Sequence, residues 1–563
     1  MSVHGSASRP GNSTPLVSRG ANVQTVNFSR KTLILILLLA FSLRVGWMLY
    51  NSQSMENEGA EYARIAQNLL QKQQYNGILG GPESIFPPLY PLLIAATSFV
   101  TGDTEIAGRA VSLAFGTLLV LPMFFISFRL FGRRTAYLSA IFVALHPLLI
   151  ALSASVYVES TYLTLLFSGL YFGMRVLDFK QLRYPFLCGL ALGLAYLARP
   201  EGLAYGLLIG IFILIALALR ATSTVTALKY GSALAVTTII LVIPYAAYLS
   251  ARGGSFRLEG KSALNEIINQ RMNRGMSYQE AGYGLGPNLE PEGPYLTADQ
   301  FALKAPPVSA QLAMVVRSYF RGIAGRTSYI VIAVGAERAF GSPLICLLVL
   351  AGIFRPGWAQ RKWLEEGLLL TSAGLTLVIL LSLRFVWGRY LFPFLPFLIL
   401  WAAVAIVFIS GRVAGWLPGT SPSKSATATQ IAITAALLLW PIPAVRKDPD
   451  LTEAAKAYVK QAGLWLDQYK PGGKYLMTIG STLPYYANGT QLYLPYADSA
   501  RTLAYIHRKR PDFIVLQADE LASRPYLRDW FEHSIPDSCA RLIRHSEGPV
   551  VQQIEIYQWT CSD

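Results

Sequence analysis

The sequence predicts an α-helical polytopic membrane protein with a small α/β domain at its C-terminal end. Three observations predict it. Of the 563 residues, 53% are hydrophobic and only 14% charged, where soluble proteins carry nearer a quarter charged. Apolar runs long enough to cross a hydrocarbon core about 30 Å thick recur along the first four-fifths of the chain. Basic residues gather in alternate loops between those runs.

Residues 1–30 are polar, rich in Ser, Gly and Asn, with no early apolar run, and read as a disordered cytoplasmic tail rather than a cleaved signal peptide. About eleven spans follow within 31–445, near 32–50, 108–128, 136–155, 160–178, 186–199, 203–219, 231–250, 339–354, 367–383, 390–410 and 428–445. Arg30 and Lys31 precede the first, and Arg129, Arg133 and Arg134 follow the second. Lys180 and Arg183, Arg220 and Lys229, Arg355 and Lys362, then Arg412 and Lys424 fill every alternate loop after that. This alternation places the N-terminus inside, and an odd number of spans places residues 446–563 outside. The expected location is the plasma (inner) membrane, multi-pass, with an extracytoplasmic C-terminal domain. The same basic loops account for a net charge of +16, so no nucleic-acid partner is expected.

Two further segments lie on the outer side: a first outer loop, 51–107, and a large outer loop, 251–335. In the C-terminal domain, 446–563, "KYLMTIG" and "DFIVLQ" read as buried strands, and "ARLIRHS" with "VVQQIEIYQW" as an antiparallel pair. Cys539 and Cys561 bracket that pair. A disulfide formed in an oxidising compartment is one reading and two free thiols the other. Cys188 and Cys346 fall in apolar runs and read as packing residues.

Charges at span ends are costly enough to be examined one by one. Glu56, Glu58 and Glu61 lie in the first outer loop, on the amphipathic stretch "GAEYARIAQNLLQ" or just before it. Glu159 opens the fourth span, and Glu201 stands beside Arg199 in the turn "ARPEGL". Three separate segments thus deliver carboxylates to one membrane face. Any one of them reads equally well as a solvated loop end. The set stands out because the inner ends of these spans carry mainly Arg and Lys. Arg109 and Arg389, on the outer side, suit either a lipid phosphate or these acids.

In order, "ENEGAEYARIAQNLL", "FPPLYPLLIA", "GRAVSLAFGTLLVLPMFFISFRLFGRR", "LHPLLIALSASVYVESTYLTLL", "GLALGLAYLARPEGL" and "GRYLFPFLPFL" form a recognisable series. It resembles the polyprenyl-phosphate-sugar-dependent glycosyltransferases of the GT-C superfamily, near the protein O-mannosyltransferases and the lipid A aminoarabinose transferases. The resemblance runs from about Arg30 to about residue 220 and returns near Arg389. It implies a GT-C type catalytic domain over 31–445. It also implies transfer of a hexosyl or pentosyl group from a polyprenyl-phosphate donor to a lipid, glycan or protein acceptor, with inversion. The family's first acid falls on Glu58, four residues before Tyr62, with Glu where the family has Asp; the register between Glu56 and Glu58 stays open. Its second acid matches Glu159, and its "R-P-E-G" turn matches Arg199 and Glu201. The implied catalytic residues are Glu58, as base, and Glu159. Glu61, Tyr62, Arg109, Arg199, Glu201 and Arg389 are implied substrate contacts. The Lys that precedes the Pro-Pro step in the aminoarabinose enzymes is Phe86 here, and the β-trefoil domain of the eukaryotic mannosyltransferases is absent. No His/Cys cluster suggests zinc and no cofactor is assigned, while a divalent cation bridging Glu58 and Glu159 is left open. The alternative is a transporter or flippase for a lipid-linked saccharide. That would call for polar residues mid-span, broken helices and access from both sides, whereas these acids sit at one face.

Overall fold

The computed structural model describes residues 28–51, 54–302, 340, 343–356, 362–382, 388–416, 421–447, 456–546, 549 and 552–561. Helix α1 (Arg30–Asn51) buries one stripe, Leu33, Ile36, Ala40 and Arg44, and exposes Leu35, Leu38 and Phe41. That spacing is one face of a helix packed against its neighbours, with apolar residues elsewhere turned to lipid. Arg44, fully buried, donates to the carbonyls of Ala40, Val143 and Ala144 at 3.0, 3.1 and 3.3 Å. The Val143 carbonyl needs an outside donor because residue 147 is a proline without an N–H. The same proline separates α6 (Arg133–Leu145) from α7 (Pro147–Ala154), which meet at a 53° bend.

Between them, α2 (Asn57–Lys72) and α3 (Leu89–Thr101) occupy the first loop, and α4 (Thr104–Leu118) with α5 (Val120–Phe131) makes one long apolar helix. The bundle continues through α8 (Glu159–Val176), α9 (Arg183–Ala198), α10 (Gly202–Ala218) and α11 (Thr224–Gly253). The large loop after it carries α12 (Lys261–Asn273) and α13 (Tyr278–Tyr283). Within the described residues, each of the eleven apolar runs of the sequence coincides with helix. Among the described residues six helices are long and apolar enough to cross a membrane, or seven with α6 and α7 as one span. Others, such as Arg183–Ala198 and Gly202–Ala218, are apolar but shorter, so length alone does not establish eleven crossings. At the far end of α8 from Glu159, Arg129 binds Asp178 at 2.6 Å and Glu365 at 2.5 Å, tying three helices together.

The C-terminal domain is a five-stranded sheet in the order β2-β1-β3-β5-β4, with helices around it. Strands β1 (Tyr475–Thr478), β2 (Thr490–Tyr493) and β3 (Phe513–Gln517) are parallel; β4 (Ala540–His545) and β5 (Ile554–Trp559) run antiparallel to each other. Every residue of β3 is buried, as a strand covered on both faces requires. Cys539 and Cys561, at the open ends of β4 and β5, form a disulfide with Cα atoms 5.1 Å apart.

This domain rests on α2. Arg64 on α2 donates to the carbonyls of Pro484 and Tyr485, both at 3.1 Å. A loop that follows the first membrane helix therefore touches a domain that follows the last one. The two lie on one side of the bilayer, and the chain crosses it an even number of times between them.

Candidate active site

The site is built where three chain breaks meet at one end of the bundle. The first is the start of α2. Glu58 stands half-buried in its first turn, where the helix dipole favours a carboxylate. Gly59 beside it allows a close approach: a Cβ there would lie 2.9 Å from the Val156 carbonyl oxygen. Val156 belongs to the extended link that leads into α8, so this contact brings the first loop against the second break. There α8 opens with Glu159, which is 4% exposed.

The third break is the turn between α9 and α10. A residue that precedes proline is steered away from helical torsions. Arg199, followed by Pro200, is accordingly extended at φ −148° and ψ 129° and ends α9. Its guanidinium turns back to Glu159 at 3.4 Å and to Glu201 at 3.5 Å, and lies 5.5 Å over the Tyr162 ring. Burial alone would lower the Arg199 pKa. Glu201 and Glu159, with Tyr162 and Glu58 after them, outweigh it and hold the guanidinium above its ordinary range. Glu201 is pushed up by burial but pulled down further by Arg199, and settles below the usual carboxylate range. Two carboxylates thus bind one cation that stays charged, and Glu58 adds to their pull electrostatically.

The structure brings Glu58, Glu159, Arg199 and Glu201 together and takes other sequence candidates elsewhere. Arg109, 4% exposed, is engaged by Glu105 at 2.8 Å and by the carbonyls of Ser54 and Ala154 at 2.7 and 3.2 Å. It braces the links on either side of the site rather than facing a ligand. Tyr62 is buried with its ring edge-on to Phe86 at 4.9 Å and Tyr90 at 5.0 Å, fastening α2 to α3. Glu61 turns toward the C-terminal domain, accepting from Ser481 Oγ at 2.9 Å and from the Ile78 amide at 3.3 Å. Arg389 falls in the 3₁₀ segment Gly388–Phe394, and its side chain lies outside the described residues.

Two residues that sequence reasoning missed belong to this neighbourhood. Glu83 is buried and accepts from the amides of Ile85 and Phe86 at 2.6 and 3.0 Å, shaping the turn before Pro87 and Pro88. Lys261, the first residue of α12, places its Nζ 5.4 Å over the Phe86 ring and adds positive charge beside Glu201 and Glu83. Among the described residues no carboxylate lies within ion-pair distance of it. Neither residue left a signal in the sequence, since both sit in polar loops without periodicity. As for metals, among the described residues the one group of three or more His, Cys, Asp or Glu close enough to share an ion is His507, Asp537 and Cys539, and Cys539 is in the disulfide.

The sequence profile of the family described as dolichyl-phosphate-mannose-protein mannosyltransferase matches residues 86–248. No curated protein sequence matches the chain. Among solved structures, the apo oligosaccharyltransferase of Archaeoglobus fulgidus aligns with a TM-score of 0.59 at 12% identity, over 87% of this chain and 69% of that one. AglB from Archaeoglobus fulgidus, in complex with an inhibitory peptide and a dolichol-phosphate, aligns at 0.56 and 14% identity over 87% and 69%. ArnT from Cupriavidus metallidurans, bound to undecaprenyl phosphate, aligns at 0.55 and 14% identity over 94% and 98%, nearly the full length of both chains. At these identities the likeness is one of fold.

Proposed function

We propose that this chain, which has the GT-C glycosyltransferase fold, moves a sugar from a polyprenyl-phosphate donor to an acceptor on the extracytoplasmic face, with inversion. The observation that carries the reading is the convergence of Glu58, Glu159 and Glu201 on Arg199 at one end of that fold. Two neighbours of the same fold hold dolichol-phosphate and undecaprenyl phosphate, which supports a lipid phosphate as the donor's leaving group.

Glu58 is the base. Glu56, the alternative register, spends its carboxylate on Lys456 at 2.7 Å. Glu58 takes the proton of the acceptor hydroxyl while that oxygen attacks the anomeric carbon. The bond from that carbon to the phosphate oxygen breaks, and its electron pair leaves with the polyprenyl phosphate. Arg199 and Lys261 meet the charge that develops there. Glu159 fixes Arg199 and orients the acceptor. Three carboxylates acting on one guanidinium leave a surplus of negative charge; Glu58 and Glu159 are the residues that would hold a divalent cation, which would lower the charge on the acceptor oxygen.

The test is purified full-length protein in lipid nanodiscs, offered a panel of hexosyl and pentosyl polyprenyl phosphates with lipid, glycan and peptide acceptors. Release of polyprenyl phosphate coupled to acceptor glycosylation is expected with one donor class. Failure of every donor, with movement of lipid-linked saccharide across the bilayer instead, would overturn the reading.

A further inference from the structure

We infer that the C-terminal domain is a working part of the active site: its short helix Thr482–Tyr486 fixes the rotation and depth of α2 and so sets where Glu58 stands. The inference rests on the proposed function, which gives Glu58 its task; Asn57, Gly480 and Ser481 enter as positioning residues.

At 3.6 residues per turn, Asn57, Glu61 and Arg64 fall on one arc of α2, and Glu58 with Tyr62 on another centred about 110° away. Each residue of the first arc bonds to the C-terminal domain. Asn57 Oδ1 accepts from the amides of Ser481 and Thr482 at 2.7 and 3.2 Å and from Thr482 Oγ1 at 3.1 Å. Glu61 accepts from Ser481 Oγ at 2.9 Å. Arg64 donates to Pro484 and Tyr485 carbonyls at 3.1 Å and to Asn488 Oδ1 at 3.2 Å. A helix has unpaired amides at its start and unpaired carbonyls at its end. Here α2 supplies an acceptor for the amides at one end and, at the other, a second donor for the Pro484 and Tyr485 carbonyls, which also accept from the Gly489 and Asn488 amides, so the short helix is gripped at both ends by side chains two turns apart on α2. Just upstream, the Met55 carbonyl lies 3.1 Å from Thr482 Oγ1 as an alternative acceptor for its one proton, and Lys456 holds Glu56. The residues on both sides of Glu58 are therefore fastened to the C-terminal domain.

The fit is close. A Cβ at Gly480 would lie 2.7 Å from Asn57 Oδ1, and a Cβ at Gly59 would meet Val156 on the opposite flank. With a surface on each side, α2 has no room to turn. Glu58 is left at the edge that faces Arg199.

The experiment uses the full chain with Asn57→Ala, Asn57→Asp and Gly480→Ala, reading kcat, donor KM and hydrogen exchange of the amides of residues 58–66. Displacing a base by about 1 Å costs on the order of 10²-fold in rate, so Asn57→Ala and Gly480→Ala should lose about that in kcat. Donor KM should hold within about twofold, since the lost interaction acts in the transition state. Asn57→Asp keeps the acceptor oxygen and should recover most of the rate. Amide exchange over α2 should quicken in the two damaging variants. Unchanged kcat in both, an equal loss in Asn57→Asp, or a loss carried by KM would each overturn the inference. If the unaltered chain transfers no sugar, the reading of function fails; unchanged exchange in Asn57→Ala then overturns the docking claim independently.

Discussion

Arg199 owes its place to the residue after it. Pro200 ends α9 and holds Arg199 extended, and the guanidinium then pairs with Glu159 and Glu201. Because Glu58 needs only its ionised oxygen to act as a base, Glu58→Gln should cut single-turnover transfer by about 10²–10⁴-fold while leaving donor binding nearly unchanged. Near-normal transfer in that variant, with Glu56→Gln inactive, would move the base by two residues. Lys261 makes the complementary case. A charge-assisted hydrogen bond to phosphate is worth roughly 1.5–3 kcal/mol, so Lys261→Ala should weaken polyprenyl-phosphate binding about 10- to 100-fold, with Lys261→Arg much closer to the original. Equal affinity in all three proteins would remove Lys261 from the site. Glu58, Glu159, Arg199 and Glu201 were readable as a group because each ends a segment on the same face. Lys261 was not, since a lysine in a mixed polar loop carries no address, and only the folded chain puts it over Phe86. Arg109 had the right address, and its pairing with Glu105, one helical turn earlier, was not read from the sequence.

At the scale of the element, α2 is a helix with two assignments, and its amphipathic pattern announced only that it would not cross the membrane. Which polar residue faces which neighbour depends on the distant helix Thr482–Tyr486, so Glu61 read as a substrate contact although it faces the C-terminal domain. Its burial gives a test. Burial, then the nearby Glu83, raises the Glu61 pKa from 4.5 to about 8, against the smaller opposing effects of Ser481, Ile78 and Arg64. The folded protein thus holds a proton between those values that the unfolded chain releases, and stability falls as pH rises through that window and levels off above it. The thermal midpoint of the full chain should drop between pH 5 and pH 8, and Glu61→Gln, a neutral stand-in for the protonated acid, should flatten part of the drop. Glu83 and Glu520, each raised first by its own burial, leave the remainder. The same slope in Glu61→Gln and the unaltered chain would contradict the assignment. The apolar run 136–155 reads as one span straight through the bend at Pro147, and the number of crossings was not legible either, because several apolar helices are too short for length to decide.

At the scale of the whole molecule, the contact between α2 and the C-terminal domain fixes a parity that composition could only suggest. Lys72 and Arg528 are both exposed, one on each partner. In intact cells Lys72→Cys and Arg528→Cys should react with a membrane-impermeant maleimide from the outside. Labelling from opposite sides would break the even count of crossings, and labelling of both from the cytoplasm would invert the orientation. The alternation of basic loops made this sidedness readable; the contact itself was invisible, because residues more than 400 positions apart share no local pattern. That separation also sets a schedule for biosynthesis. Arg64 emerges from the ribosome 424 residues before its partner Asn488. At roughly 5–20 residues per second, the helix that carries the proposed base waits some tens of seconds for the surface that holds it. A nascent or truncated chain, though already inserted and able to meet lipid, has its base unmoored, and competence arrives only when translation is nearly done.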